Sequence, residues 1–175
     1  MTRALRQPFA PMEALSVAEI PAGKQWQYEP KWDGFRCLVF RDGDKIALQS
    51  KSGQPLTRYF PEIVAAAAAL KARRFVLDGE IVVPQGRAFS FDNLLQRIHP
   101  AASRVKKLAA ETPALMIVFD LLAEGKDDLT DEALRDRRKM LDAFAKKTLK
   151  GHKAFRLSPA TTKLGDAKKW LTQVG

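Results

Sequence analysis

Residues 28–36 read "YEPKWDGFR" and run directly into "CLVFRDGDKIALQS", residues 37–50. The second part is a hairpin pattern. "FRCLVF" and "KIALQS" alternate as strands, and "RDGD" between them places Asp42-Gly43 at the turn. The alternation predicts a half-buried antiparallel pair. The first part sets Lys31 where the chain meets that pair. Pro30 fixes the backbone before the lysine, and Gly34 lets the chain turn close behind it. A lysine placed this way is a candidate nucleophile if burial or neighbouring cations favour its neutral amine. The residues alone leave a second reading open, an ion pair of Lys31 with Asp33 or Glu29.

Outward from the hairpin, helices and strands alternate. "YFPEIVAAAAALKA" (59–72) predicts a helix with Pro61 in its first turn. "RFVLDGEIVVP" predicts a strand ended by Pro84, and "FSFDNLLQRI" a short helix with Asp92 as its cap. "SRVKKLAAE" reads as helical. "ALMIVFDLL" is a near-continuous apolar run, as in a central strand. "TDEALRDRRKMLDAFAKKT" is the strongest helix pattern, with Thr130 as cap, an acidic first turn and a basic last turn. "AFRLSPAT" predicts a short strand, and "LGDAKKWLTQVG" begins a last helix. Residues 1–24 carry Pro8, Pro11 and Pro21 and read as an irregular arm with at most one short helix. The predicted class is α+β with mixed or antiparallel sheets, in one domain over residues 25–175.

Composition narrows the chemistry. The 175 residues are 46% hydrophobic and 29% charged, ordinary for a globular domain with its own core. No apolar run approaches membrane-spanning length, the N-terminus lacks a signal-peptide core, and Cys37 is the single cysteine. These features point to a reducing, cytoplasmic setting with no membrane partner. Lys and Arg number 30 against 20 Asp and Glu, a net charge of +10 that would attract a polyanion. "SRVKKLAA" and residues 135–153 hold much of the excess, either as solvated helix faces or as a nucleic-acid track. His99 and His152 stand alone. There is no P-loop, no Cys-rich zinc spacing and no Ser-His-Asp set.

"EPKWDGFR" (29–36) resembles the nucleotidyl-lysine motif of the ATP-dependent DNA ligases, within the superfamily that also holds RNA ligases and mRNA capping enzymes. Three further segments resemble that family's motifs in the right order: "LQSKSG" (48–53), "VLDGEIVV" (76–83) and "IVFDLL" (117–122). The likeness runs from about Pro8 to the end. It points to small bacterial repair ligases and to the ligase module of bacterial end-joining proteins. It implies the ATP-grasp-like nucleotidyltransferase fold, with ATP and Mg²⁺ as cofactors, nicked duplex DNA as partner, and other DNA-repair proteins as further candidate partners.

Carried over by position, the resemblance implies that Lys31 attacks the α-phosphorus of ATP and forms lysyl-AMP. Glu29 would contact the adenine amino group, Arg36 the ribose or phosphate side, and Glu80 the ribose hydroxyls. Phe119 would stack on adenine, Lys51 would touch a phosphate, and Asp33 would support the metal. Each has a plainer alternative. Phe119 suits a core, Asp78 and Glu80 a solvated strand face, Asp120 a loop cap, and Cys37 simple packing. Lys51 stands where many members of the family have arginine, which exchanges a phosphate-gripping fork for a point charge. "KKWLTQVG" falls just before the family's E-G motif, its later lysine pair and its oligonucleotide-binding barrel. The expectation is that residues 1–175 alone do not complete ligation. A nucleotide- or DNA-binding fragment, or half of a split protein, is the alternative.

Overall fold

The computed structural model describes residues 7–173. The hairpin forms as expected: β1 (Phe35–Asp42) and β2 (Lys45–Ser50) pair antiparallel, with Gly43 at φ +63° in the turn. The next helix, α1, spans Pro61–Ala69, shorter than the sequence pattern. A short 3-10 turn, Thr57–Tyr59, takes its expected start. The far end of α1 is closed by Arg41, whose Nη1 donates to the carbonyls of Ala67 and Leu70 at 2.6 and 2.8 Å. β3 is Arg74–Val82. β3 ends at Val82, just ahead of Pro84, as expected. Pro84 then opens a two-residue hairpin, β4 (Pro84–Gln85) with β5 (Ala88–Phe89).

α2 spans Phe91–Leu95, and its cap is Ser90 rather than Asp92; the Ser90 hydroxyl accepts from the Asn93 amide. α3 (Ala102–Glu111) and β6 (Leu115–Glu124) follow as expected. β7, Asp127–Asp128, is a small addition. α4 spans Leu134–Phe144 with Ala133 at its N-cap. Thr130 does not cap it, because the Thr130 amide and hydroxyl are both taken by the Asp128 carboxylate at 3.0 and 2.6 Å. A π-turn over Ala145–Leu149 ends the helix. β8 (Phe155–Leu157) and α5 (Leu164–Gln173) complete the chain. Residues 7–27 contain no helix or strand.

Apart from the β4-β5 hairpin, the strands form one sheet in the order β2-β1-β3-β6-β7, and β8 adds to β6. Every pairing is antiparallel except β6 with β8. One face carries the main core: Cys37, Val39, Leu77, Met116 and Val118 meet Ile63 of α1 and Leu141 and Phe144 of α4. β1 is not half-buried as the alternation suggested. Leu38 and Phe40 on its other face are also buried, under Phe9 of the N-terminal arm. A third apolar cluster, Val82, Leu115 and Ile117, lies under Trp32 and Phe89.

β6 breaks its own alternation twice. Val118 pairs with Gly79 and Asp120 with Asp78, which leaves Phe119 as an extra residue. Leu121 pairs with Leu77 and Ala123 with Val76, which leaves Leu122 extra. Each bulge puts two successive residues on one face. Gly79 makes the first one possible, since a Cβ there would lie 2.3 Å from the Ile117 carbonyl oxygen. Between the two small apolar clusters of the second face, the sheet therefore presents Arg36, Asp78, Glu80, Phe119 and Asp120.

Candidate functional site

A cleft of about 860 Å³ lies there. All seven residues singled out in the sequence line it: Glu29, Lys31, Asp33, Arg36, Lys51, Glu80 and Phe119. They come from four places in the chain, so the fold brings them together. Met12, Ala14 and Phe91 complete the walls with Pro30, Trp32 and Gly34.

The segment before β1 is fixed through its backbone. Tyr28 and Thr161 exchange two backbone hydrogen bonds, at 2.8 and 2.9 Å. The Trp32 indole donates to the Ser158 hydroxyl at 2.9 Å. Gly34 crosses β3 so closely that a Cβ would sit 2.2 Å from the Ile81 carbonyl oxygen. The turn is thus held, but the Lys31 side chain is 85% exposed and pairs with Asp33. Burial does not prepare this amine. The pairing of Lys31 with Asp33, open as an alternative in the sequence, is the one formed.

Arg36 reaches Asp78 with two hydrogen bonds, Nε to Oδ1 at 3.2 Å and Nη2 to Oδ2 at 2.8 Å. Its guanidinium also stands over the Phe119 ring, 5.6 Å from the centroid. Asp78 is 2% exposed, so the solvated-face reading fails for it. Burial pushes the Asp78 carboxyl up, and the Arg36 hydrogen bonds oppose that. Glu80 is more strongly affected. Burial pushes it up to about 7, against the pull of the Arg36 charge. Phe119 is half-buried and faces the cleft, neither core nor free surface. Lys51 is engaged by Glu13 of the arm at 2.7 Å. Cys37 is fully buried in the main core, and burial raises its thiol.

Two arginines of the basic helix pattern matter here, and sequence reasoning missed them. Arg137 is buried and grips Asp120 through Nε at 3.0 Å and Nη2 at 2.9 Å, so Asp120 caps no loop. Arg138 lies beneath Glu29, with Nη1 3.6 Å from Oε1. Neither belongs to a solvated face or to a nucleic-acid track. Lys106, Lys107, Lys146, Lys147, Lys150 and Lys153 are exposed.

Among the described residues, no three His, Cys, Asp or Glu side chains group to hold a metal ion. Asp33, the expected metal ligand, is tied to Lys31 instead. The side chains fit a nucleotide better than a protein-built metal cage: one aromatic face, carboxylates at two depths, and cations at the rim. Among the described residues, no helix is long and apolar enough to cross a membrane.

Comparison with known proteins places the chain in a family. DNA ligase C of Mycobacterium tuberculosis is 47% identical over 167 residues, which cover 95% of this chain and 46% of that protein. DNA ligase C2 of Mycolicibacterium smegmatis is 48% identical over 163 residues, 93% of this chain and 45% of the relative. The chain spans about half the length of these curated relatives. A solved structure described as mycobacterial DNA ligase D complexed with ATP and MES superposes with a TM-score of 0.58 at 25% identity. That match covers 83% of this chain and 45% of the other. Residues 10–174 match the family described as the ATP dependent DNA ligase domain, and the chain belongs to that family.

Proposed function

We propose that this chain carries the nucleotide-transfer site of an ATP-dependent DNA ligase acting in the cytoplasm. In this reading Lys31 Nζ attacks the α-phosphorus of ATP. The N–P bond forms, the bond to the β-phosphate oxygen breaks, pyrophosphate leaves, and the amine gives up its proton. The adenylyl group then passes to the 5′-phosphate of a DNA nick, and the 3′-hydroxyl displaces AMP as the strands join. The ion pair of Lys31 with Asp33 has to open first, because only the neutral amine is a nucleophile.

The other side chains position the nucleotide. Phe119 offers its ring to the base, with Arg36 fixed beside it by Asp78. Glu80 accepts from the ribose hydroxyls, and Glu29 accepts from the base. Lys51, once released by Glu13, meets a phosphate. Mg²⁺ would ride on the phosphate oxygens and water rather than on a cage of side chains, and it supplies neutralising charge when bound. The observation that carries this reading is the convergence of Glu29, Lys31, Arg36, Lys51, Glu80 and Phe119 on one cleft.

The test is the intact mass of the chain after incubation with ATP and Mg²⁺, beside Lys31→Ala. One adenylyl adduct on the parent and none on the variant is expected. An adduct that survives in Lys31→Ala refutes the assignment. The exposure of Lys31 and its pairing with Asp33 favour one rival, a nucleotide- and DNA-binding module without catalysis. That rival predicts no adduct, and salt-sensitive DNA binding that is equal in both chains.

A further inference from the structure

We propose that Arg138 is a positioning residue that makes the site selective for a 6-amino purine by holding Glu29 as an oriented carboxylate. This rests on the nucleotide reading of the cleft. The Arg138 side chain is 11% exposed and fixed on two sides. Nε meets Asp142 Oδ1 at 2.9 Å, one helical turn on, and Nη2 donates to the Ser158 carbonyl at 2.8 Å. Its remaining nitrogen, Nη1, is buried without a hydrogen-bond partner among the described residues. It lies 3.6 Å from Glu29 Oε1. A buried donor left unpaired is costly, and a fold that only needed to tie α4 to the Ser158 loop had no reason to keep one there. Glu29 Oε1 also accepts from the Gln27 amide at 2.7 Å. Both protein partners therefore sit on one oxygen, which leaves Oε2 for the cleft that Glu29 lines.

The chemistry gives this arrangement a consequence. The 6-substituent of adenine is a donor and that of guanine is an acceptor. An ionised carboxylate only accepts, whereas a protonated one also donates. The charge on Glu29 thus determines which purine satisfies it. Burial pushes the Glu29 carboxyl up, the Gln27 hydrogen bond and Arg138 hold it down, and Asp120 and Asp142 push it up further. Arg138 is the one cation in that set. Without it, only the Gln27 hydrogen bond opposes burial and the two carboxylates, so the Glu29 carboxyl is pushed further up and loses the cation that orients it, and the preference for a 6-amino donor weakens. Ser158 links this control to the nucleophile loop, because its carbonyl holds Arg138 while its hydroxyl holds Trp32, next to Lys31.

The test is equilibrium binding of ATP, GTP and purine riboside triphosphate, which lacks the 6-substituent, to the whole chain between pH 6 and 8.5. For the parent, ATP should bind about tenfold more tightly than either competitor. In Arg138→Met the ATP affinity should fall about tenfold, purine riboside triphosphate should hardly change, and ATP and GTP should come within about threefold of each other. Arg138→Lys, which retains the charge, should recover part of the preference, and it serves if the Met variant does not fold. Glu29→Gln with Arg138→Met should be no worse than either alone. Equal weakening of all three nucleotides would mean a structural tie only, and would overturn the inference. So would an Arg138→Met chain that keeps its ATP preference. If the parent binds no ATP and forms no adduct, the nucleotide reading fails and this inference fails with it. A normal adduct with unaltered selectivity in Arg138→Met removes this inference alone.

Discussion

Arg36→Met tests the centre of the cleft, because it strips the charged partner of a buried carboxylate. Removing one side of a buried ion pair costs about 3–5 kcal/mol. Asp78 is almost fully enclosed, whereas Arg36 is 22% exposed on its cleft side. Arg36 also gives up its place over Phe119, a contact worth about 0.5–1 kcal/mol. The lower end of the range, about 3 kcal/mol, is expected at pH 8. It should shrink in acid. Burial already raises Asp78 above its usual 3.8, and Arg36 restrains that rise. Without Arg36 the folded chain binds this proton still more tightly than the unfolded chain does. Stability from such a group is complete below the unfolded value and is lost as pH rises through the folded one. Glu80 loses the same cation and moves the same way. Urea unfolding of parent and variant at pH 5 and pH 8 measures the difference. An equal deficit at both pH values refutes the reasoning, as does a deficit under about 1 kcal/mol at pH 8.

Four further outcomes are expected. Glu80→Gln should stabilise the chain at pH 8 by on the order of 2 kcal/mol while weakening nucleotide binding, because the Glu80 contribution to stability is present below 4.5 and lost by about 7; a melting curve beside an ATP titration checks both. In the parent, ATP affinity should rise with pH through about 7, as Glu80 becomes a full acceptor, and the Gln variant should show a flatter profile. Glu13→Ala should leave stability within about 1 kcal/mol, since the pair with Lys51 is exposed, yet tighten ATP binding a few-fold by freeing Lys51, as calorimetry would show. Gly79→Ala should cost more than about 2 kcal/mol and blunt ATP binding, because the Ile117 carbonyl lies where its Cβ must go and the Phe119 bulge depends on that approach.

Much of the cleft was legible because its residues sit in short segments whose order and chemistry are distinctive. Lys31 between Pro30 and Gly34, and Glu80 two residues from Asp78 on one strand, state their positions locally. The hairpin at Gly43 did so for the sheet. Arg137 and Arg138 did not. "RDRRK" is polar throughout, and what turns two of its arginines inward is Asp120 and Glu29, delivered by distant parts of the chain. The same holds for Thr130, whose capping role is lost to a nearer carboxylate at Asp128. Phe119 posed the sharpest ambiguity. An aromatic in an apolar run looks like core, and nothing local marks the extra residue in the pairing that turns it towards the cleft.

Those two offsets in β6 make the strand a carrier of phase. Each one resets the odd-even count, so the same ten residues serve the main core, the cleft and the patch beneath Phe9 in turn. Deleting Phe119 would take out the extra residue itself. Asp120 would follow Val118 in a regular ladder, still opposite Asp78 on the cleft face, and Leu121 would still meet the core. Replacement by alanine and deletion both remove the ring; deletion would also straighten the strand and relax its local twist. Each extra residue is thus a unit of slack, and the register on either side does not depend on it.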